Sequence, residues 1–252
     1  MLRNPILIYD EKYINHDFVK DPRFARAYKQ GYNTLQYLGE RGNNFIYDLW
    51  RVYTICWAAN HASKLSGDFV ECGVNTGFLA RAVIEYIDFS SKKDKIFYLI
   101  DTFQGVPDYQ FTESERKLKL DIQSRNWYGI DIYEQVKKTF QEFSNVSVIK
   151  GEVPSVLSQV PTKAICYLSI DMNCAYPEVA AIDYFYDKIV PSGIVIFDDY
   201  GFSANNQGHI TQKQALDEWA SKKDLQILSL PTGQGMLIKP GNSSPTDEVI
   251  IF

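Results

Sequence analysis

Asp68-Phe69-Val70-Glu71-Cys72-Gly73-Val74-Asn75-Thr76-Gly77 reads as a short extended run, a glycine turn and the opening of a helix. Phe69, Val70 and Cys72 suit a largely buried strand, while Gly73 and Gly77 permit a tight turn before the apolar run from Phe78 to Ile84. In α/β sheets this strand–turn–helix unit brings backbone amides close to a ligand at a strand's carboxyl end. The dinucleotide form requires G-x-G-x-x-G, and here Asn75 stands at the middle glycine. No Gly-Lys-Ser/Thr follows, which excludes a phosphate-gripping loop. Glu71, just ahead of Gly73, suits a ligand carrying positive charge, such as the methionine portion of S-adenosylmethionine. The turn therefore reads as a nucleoside site built on Glu71, Gly73 and Gly77.

On either side of this unit, strand and helix signals alternate. Apolar runs predict strands near 96–101, 146–150, 165–171 and 193–198, and helical spacing predicts helices near 77–88, 131–142, 177–190 and 210–221. Such alternation predicts a doubly wound α/β fold with a mostly parallel sheet. Two further short strands, 225–230 and 235–239, flank Pro231-Thr232-Gly233 and predict a closing antiparallel hairpin. A helix is expected over 45–65, ended by Ser66-Gly67. Residues 1–44, polar and aromatic without a clear period, read as an irregular or partly helical N-terminal extension serving as a lid or an oligomer contact; residues 45–252 then form the main domain. Residues 105–130 are charged, aromatic and placed just beyond a strand end, where a long connection is often a lid.

The strand ends carry the chemistry. Ile96-Phe97-Tyr98-Leu99-Ile100 ends at Asp101-Thr102, roughly where a ribose-binding acid follows the glycine loop in nucleotide-binding folds. Val148-Ile149-Lys150 ends at Gly151-Glu152, candidates for the adenine side of the same pocket. The strand at 165–170 runs into Asp171, and Gly193-Ile194-Val195-Ile196-Phe197 runs into Asp198-Asp199. Any one of these acids is also an ordinary turn residue. Three of them at neighbouring strand ends suggest a hard cation such as Mg²⁺, with Mn²⁺ equally admitted by oxygen ligands.

A chain of 252 residues with 45% hydrophobic content can bury one substantial core. Its net charge of -5, with Lys and Arg scattered among acids, offers no basic field for nucleic acid. Cys56, Cys72, Cys166 and Cys174 form no CxxC pair, which fits reduced thiols and a cytoplasmic protein. No signal-peptide pattern opens the sequence and no apolar stretch is long enough to span a bilayer, so no membrane role is expected.

The pieces FVECGVNTG, YLIDTFQGVPD, YLSIDMNCAYPEV and PSGIVIFDDYG, in this order and spacing, resemble the macrocin O-methyltransferase (TylF-like) family of class I S-adenosylmethionine-dependent methyltransferases. The resemblance spans about Gly67 to Lys239 and implies the seven-stranded Rossmann-like sheet of that class, parallel except for its last strand. It also implies that Asp171, Asp198 and Asp199 bind Mg²⁺, and that the acceptor is a hydroxylated small molecule. A vicinal diol on a sugar is one such acceptor, as met in polysaccharide or natural-product assembly. Asn173-Cys174-Ala175-Tyr176, and an enlarged loop from Phe202 to Gly208, depart from the family pattern at the substrate end. Two proton acceptors are candidates: Asp171, and His209 just beyond the enlarged loop, whose unperturbed pKa lies near neutrality. Two other readings stay open from sequence: a nicotinamide-dependent oxidoreductase on the same sheet, disfavoured by Asn75 and the lack of a Tyr-x-x-x-Lys pair, and a non-catalytic nucleoside-binding scaffold.

Overall fold

The computed structural model describes residues 16–44, 48–201 and 210–241. Seven strands form one sheet: β1 (Asp68–Cys72), β2 (Phe97–Asp101), β3 (Val146–Lys150), β4 (Ile165–Ile170), β5 (Ile189–Phe197), β6 (Leu228–Ser229) and β7 (Gly235–Ile238). Their order across the sheet is β3-β2-β1-β4-β5-β7-β6. The first five strands pair in parallel, and β7 lies antiparallel between β5 and β6. The terminal hairpin is thus present. Strand order reverses at the β1–β4 boundary, where the connections leave to opposite faces and open a crevice at the carboxyl ends.

Alternation along each strand divides the core in two. Phe69, Phe97, Leu99, Tyr167, Ile194 and Ile196 face helices α1 (Pro22–Tyr32), α2 (Leu49–Ala62), α3 (Phe78–Tyr86) and α6 (Tyr133–Phe140). Val70, Ile100, Leu168, Ile170, Val195 and Phe197 face α7 (Ala175–Phe185) and α8 (Ile210–Ser221). Phe69 alone meets Phe89, Phe97 and Tyr167 at ring distances of 5.1, 5.6 and 5.1 Å. Burying each such ring stabilises the fold by roughly 2–3 kcal/mol. No helix among the described residues is long and apolar enough to cross a membrane.

The N-terminal segment adds to this core. Asp21 caps α1 by accepting from the Arg23 amide at 2.8 Å, with Pro22 at the first helical position. Phe24 and Ala27 are buried in the same cluster as α2 and α3, and the Tyr28 and Phe78 rings meet edge-on at 5.4 Å. Asp48 caps α2 through the Trp50 amide at 2.8 Å. That helix buries Val52, Ile55, Cys56 and Ala59.

Two elements differ from the sequence reading. Helix α7 ends at Phe185 and β5 begins at Ile189, where a helix was expected to run to 190. The β-branched Ile189 and Val190 favour extension, Pro191 cannot continue a helix, and Ser192 turns the chain at φ 64° while the strand pairing shifts register. Residues 105–130 contain two helices, α4 (Glu113–Lys117) and α5 (Leu120–Tyr128). Helix α4 starts on a reciprocal cap in which the Thr112 hydroxyl accepts from the Glu115 amide and Glu115 accepts from the Thr112 amide.

Candidate active site

A cleft opens at the carboxyl ends of β1, β2 and β3, walled by Gly73, Asn75, Asp101, Thr102 and Gly151 and roofed by α5 through Tyr128. Gly73 makes it possible. Its φ is +87°, and a methyl group at its Cα would lie 1.8 Å from the Asp171 carbonyl oxygen. Gly77, at φ +83°, starts α3 where a methyl group would meet the Phe140 ring at 2.6 Å.

Asp101 organises the glycine turn directly. Its Oδ2 accepts from the amides of Val74 at 2.6 Å and Asn75 at 2.7 Å, and its Oδ1 accepts from the Phe103 amide at 2.7 Å. Thr102 donates its hydroxyl to the Gly105 carbonyl at 2.6 Å, tightening the next turn. The Gly151 amide donates to the Asp101 carbonyl at 2.9 Å, extending the β2–β3 ladder to the cleft wall. Glu152 points instead to the lid, accepting from the Tyr109 hydroxyl at 2.5 Å.

Glu71 lies beneath this turn and does not line the cleft. It is 1% exposed, with its carboxyl near the Ala80 backbone. Burial, reinforced by Asp198 and Asp101, pushes its carboxyl well above the usual carboxylate range.

At the ends of β4 and β5 the chain brings Asp171, Asp198 and Asp199 together, with one oxygen of each within 4.8 Å of the others. The ladder sets their backbones: the Asp171 amide donates to the Cys72 carbonyl at 2.8 Å and the Asp198 amide to the Ile170 carbonyl at 2.9 Å. Burial and then the charges of Asp198 and Asp199 raise the Asp171 carboxyl well above the usual range. Asp171 also lines the cleft, so the two regions share a wall. Three hard oxygen donors in this arrangement fit a divalent cation such as Mg²⁺.

Four residues that sequence reading missed hold this edge. Arg51, on the first turn of α2, donates from Nη2 to the Asp198 carboxylate, to Asp199 Oδ1 at 2.9 Å and to the Asp198 carbonyl at 2.7 Å. Gln234, ahead of β7, donates to Asp198 Oδ1 at 2.7 Å. Glu178, on α7, accepts from the Met172 amide at 3.2 Å and from Gln212 at 3.1 Å, and burial pushes its carboxyl up to about 8. Glu115 reaches from the lid to accept from the Ala175 amide at 2.9 Å and the Thr211 hydroxyl at 3.3 Å. Arg51 had a signal, being the lone charge in the apolar run Leu49-Trp50-Arg51-Val52-Tyr53. Tyr128 was legible only as a lid aromatic, yet burial and the three aspartates raise its hydroxyl far above the ordinary value, keeping it protonated. His209 and the loop from Phe202 to Gly208 lie outside the described residues.

Three kinds of comparison with known proteins agree. Residues 52–225 match the family model described as macrocin O-methyltransferase (TylF). Demethyldecarbamoylnovobiocin O-methyltransferase of Streptomyces niveus is 25% identical over 170 residues, covering 65% of this chain and 62% of that protein. A tetracenomycin 4'-O-methyltransferase of Streptomyces olivaceus, acting on a dimethoxy-rhamnosyl compound by its name, is 23% identical over 150 residues, or 57% of this chain and 56% of the relative. The matched region thus spans about three fifths of the curated relatives' length. Among solved structures, the O-methyltransferase NovP superposes with a TM-score of 0.64 at 22% identity, covering 77% of this chain and 81% of its own. A calicheamicin methyltransferase does so at 0.61 and 16%, covering 90% and 95%. Both carry the class I methyltransferase fold described above.

Proposed function

Because the chain belongs to the macrocin O-methyltransferase family, we propose that it transfers a methyl group from S-adenosylmethionine to a hydroxyl of a small glycosyl or polyol-type molecule, with a divalent cation held by Asp171, Asp198 and Asp199. The observation that carries this reading is the shared wall: Asp171 belongs both to the nucleoside cleft and to the cluster of three carboxylates. A methyl donor in the cleft and an acceptor hydroxyl at the cluster then lie side by side. Methyl transfer is an in-line displacement, so alignment is the larger part of the protein's contribution.

Each wall residue has a task in this reading. The Asp101-bound turn presents the Val74–Asn75 backbone to the nucleoside, with Gly73 allowing close approach and Gly151 flanking the base. Tyr128 closes the cleft from above, keeping water from the reacting centre. A divalent cation, when bound, supplies Lewis acidity that lowers the pKa of a coordinated hydroxyl. Asp171, placed where the cleft meets the cluster, is the candidate acceptor of that hydroxyl's proton. His209 is the second candidate. The relative named for a rhamnosyl compound supports a glycosyl acceptor. Nothing in the cleft favours a nicotinamide cofactor over S-adenosylmethionine.

Calorimetric titration with S-adenosylhomocysteine tests the first half: micromolar binding is expected, and none at millimolar ligand refutes it. Labelled-donor assays over nucleotide sugars and glycosylated small molecules test the second. Activity there should vanish in EDTA, return with Mg²⁺ and fall at least 100-fold in Asp199→Asn; an EDTA-insensitive activity refutes the metal part alone.

A further inference from the structure

Arg51 stands where a cation would. Its Nη2 alone reaches the carboxylates of both Asp198 and Asp199 and the Asp198 carbonyl, and its side chain is 12% exposed. Gln234 fixes both sides of this contact, donating to Asp198 Oδ1 at 2.7 Å and to the Arg51 carbonyl at 3.3 Å. The guanidinium is therefore built into the acidic cluster. Both Arg51 and Gln234 fall outside the stretch that matches the family model.

Three carboxylates within 4.8 Å of one another, two of them buried, repel strongly unless a positive charge accompanies them. Burial opposes the charge on Arg51, but Asp198 and Asp199 outweigh it and hold the guanidinium above even its ordinary pKa. Mg²⁺ demands oxygens at about 2.0–2.1 Å in near-octahedral order. An Asp199 oxygen accepting from Arg51 at 2.9 Å cannot also converge on such an ion without bringing two cations into contact.

We propose that Arg51 is a resident counter-cation, so that a divalent ion binds this chain by displacing the guanidinium from Asp198 and Asp199 instead of entering a vacant cage. The inference rests on the metal reading above and concerns a positioning residue. It has a signature that a merely structural arginine lacks: removing Arg51 weakens the metal-free fold yet tightens metal binding. Lysine, a point charge without the planar fork, cannot reproduce the contact to both acids and falls between.

Mn²⁺ serves as the probe, titrated at pH 8 and followed by electron paramagnetic resonance of the free ion, with wild type, Arg51→Gln and Arg51→Lys. The glutamine variant should bind Mn²⁺ at least tenfold tighter than wild type, melt lower in EDTA, and recover more of its melting temperature on saturation. The lysine variant should bind several-fold tighter and decides the matter if the glutamine variant does not fold. Equal or weaker binding by both variants overturns the exchange and leaves the metal reading standing. No Mn²⁺ binding by any of the three removes the metal reading and the exchange with it.

Discussion

Replacing Glu178 with glutamine should make the protein more stable at pH 8 while changing it little near pH 5. Glu178 is 2% exposed, and its carboxyl is pushed from 4.5 to about 8, chiefly by burial. In the folded chain it is therefore neutral over most of that interval, whereas the unfolded chain ionises it above 4.5. With the folded pKa raised, the native state binds the extra proton. Stability is fully present below the unfolded pKa and is lost as pH rises towards the folded one. Each unit of pH in that window costs the wild type about 1.4 kcal/mol from this group. The advantage of the variant should thus grow by roughly 3–4 kcal/mol between pH 5 and pH 8. Glutamine keeps a carbonyl oxygen for the Met172 amide and the Gln212 side chain, so the hydrogen bonds survive. Glu71, also raised, titrates alike in both proteins and cancels in the difference, whereas Asp171 feels Glu178 only as the last of its charged neighbours. Urea unfolding in EDTA, followed by tryptophan fluorescence at several pH values with the slope checked for constancy, measures it. Parallel stability–pH curves for the two proteins would refute the assignment of a neutral Glu178.

Gly73→Ala should lower stability by about 3 kcal/mol or more, roughly a 10 °C fall in melting temperature, because neither the positive φ nor the backbone at Asp171 can yield cheaply. Thermal melting and S-adenosylhomocysteine titration check it, and the variant should lose binding even at temperatures where it stays folded. Glu115→Ala should release the lid, since the Thr112 and Ala175 amides lose a buried acceptor worth about 1–3 kcal/mol each. Limited proteolysis should then cut within residues 105–130 much faster than in wild type while the rest of the chain stays protected.

The strands were readable because β1, β2, β4 and β5 are apolar runs that end in acids or glycine, a pattern that buried parallel strands impose locally. The lid was not read as helical although Thr112-Glu113-Ser114-Glu115 is a capping sequence in plain view; its charged, aromatic composition masked it. The start of β5 was misjudged because Val190-Pro191-Ser192-Gly193 looks like a turn between helix and strand, and only pairing with Ile165 of β4 draws Ile189 into the sheet. Asp101, Asp171, Asp198 and Asp199 were legible as strand-end residues. Arg51, Glu178 and Gln234 were not, since each acts across 147, 34 and 36 residues respectively on partners that only the assembled fold brings near. Glu71, read from its motif as a ligand contact, lies beneath the turn at 1% exposure, a position set by the strand pleat.

The antiparallel strand β7 has a consequence for how the molecule comes into being. Asp198 is held by Arg51 from one direction along the chain and by Gln234 from the other, and Gln234 also ties down the Arg51 backbone, a loop of 183 residues. Contacts of such separation form slowly, after local helices and the parallel strand pairs have collapsed. Until Gln234 has emerged from the ribosome, the aspartates at the end of β5 have only part of their surroundings. The acidic edge is therefore completed only together with the last strands of the sheet, since β7 begins one residue beyond Gln234.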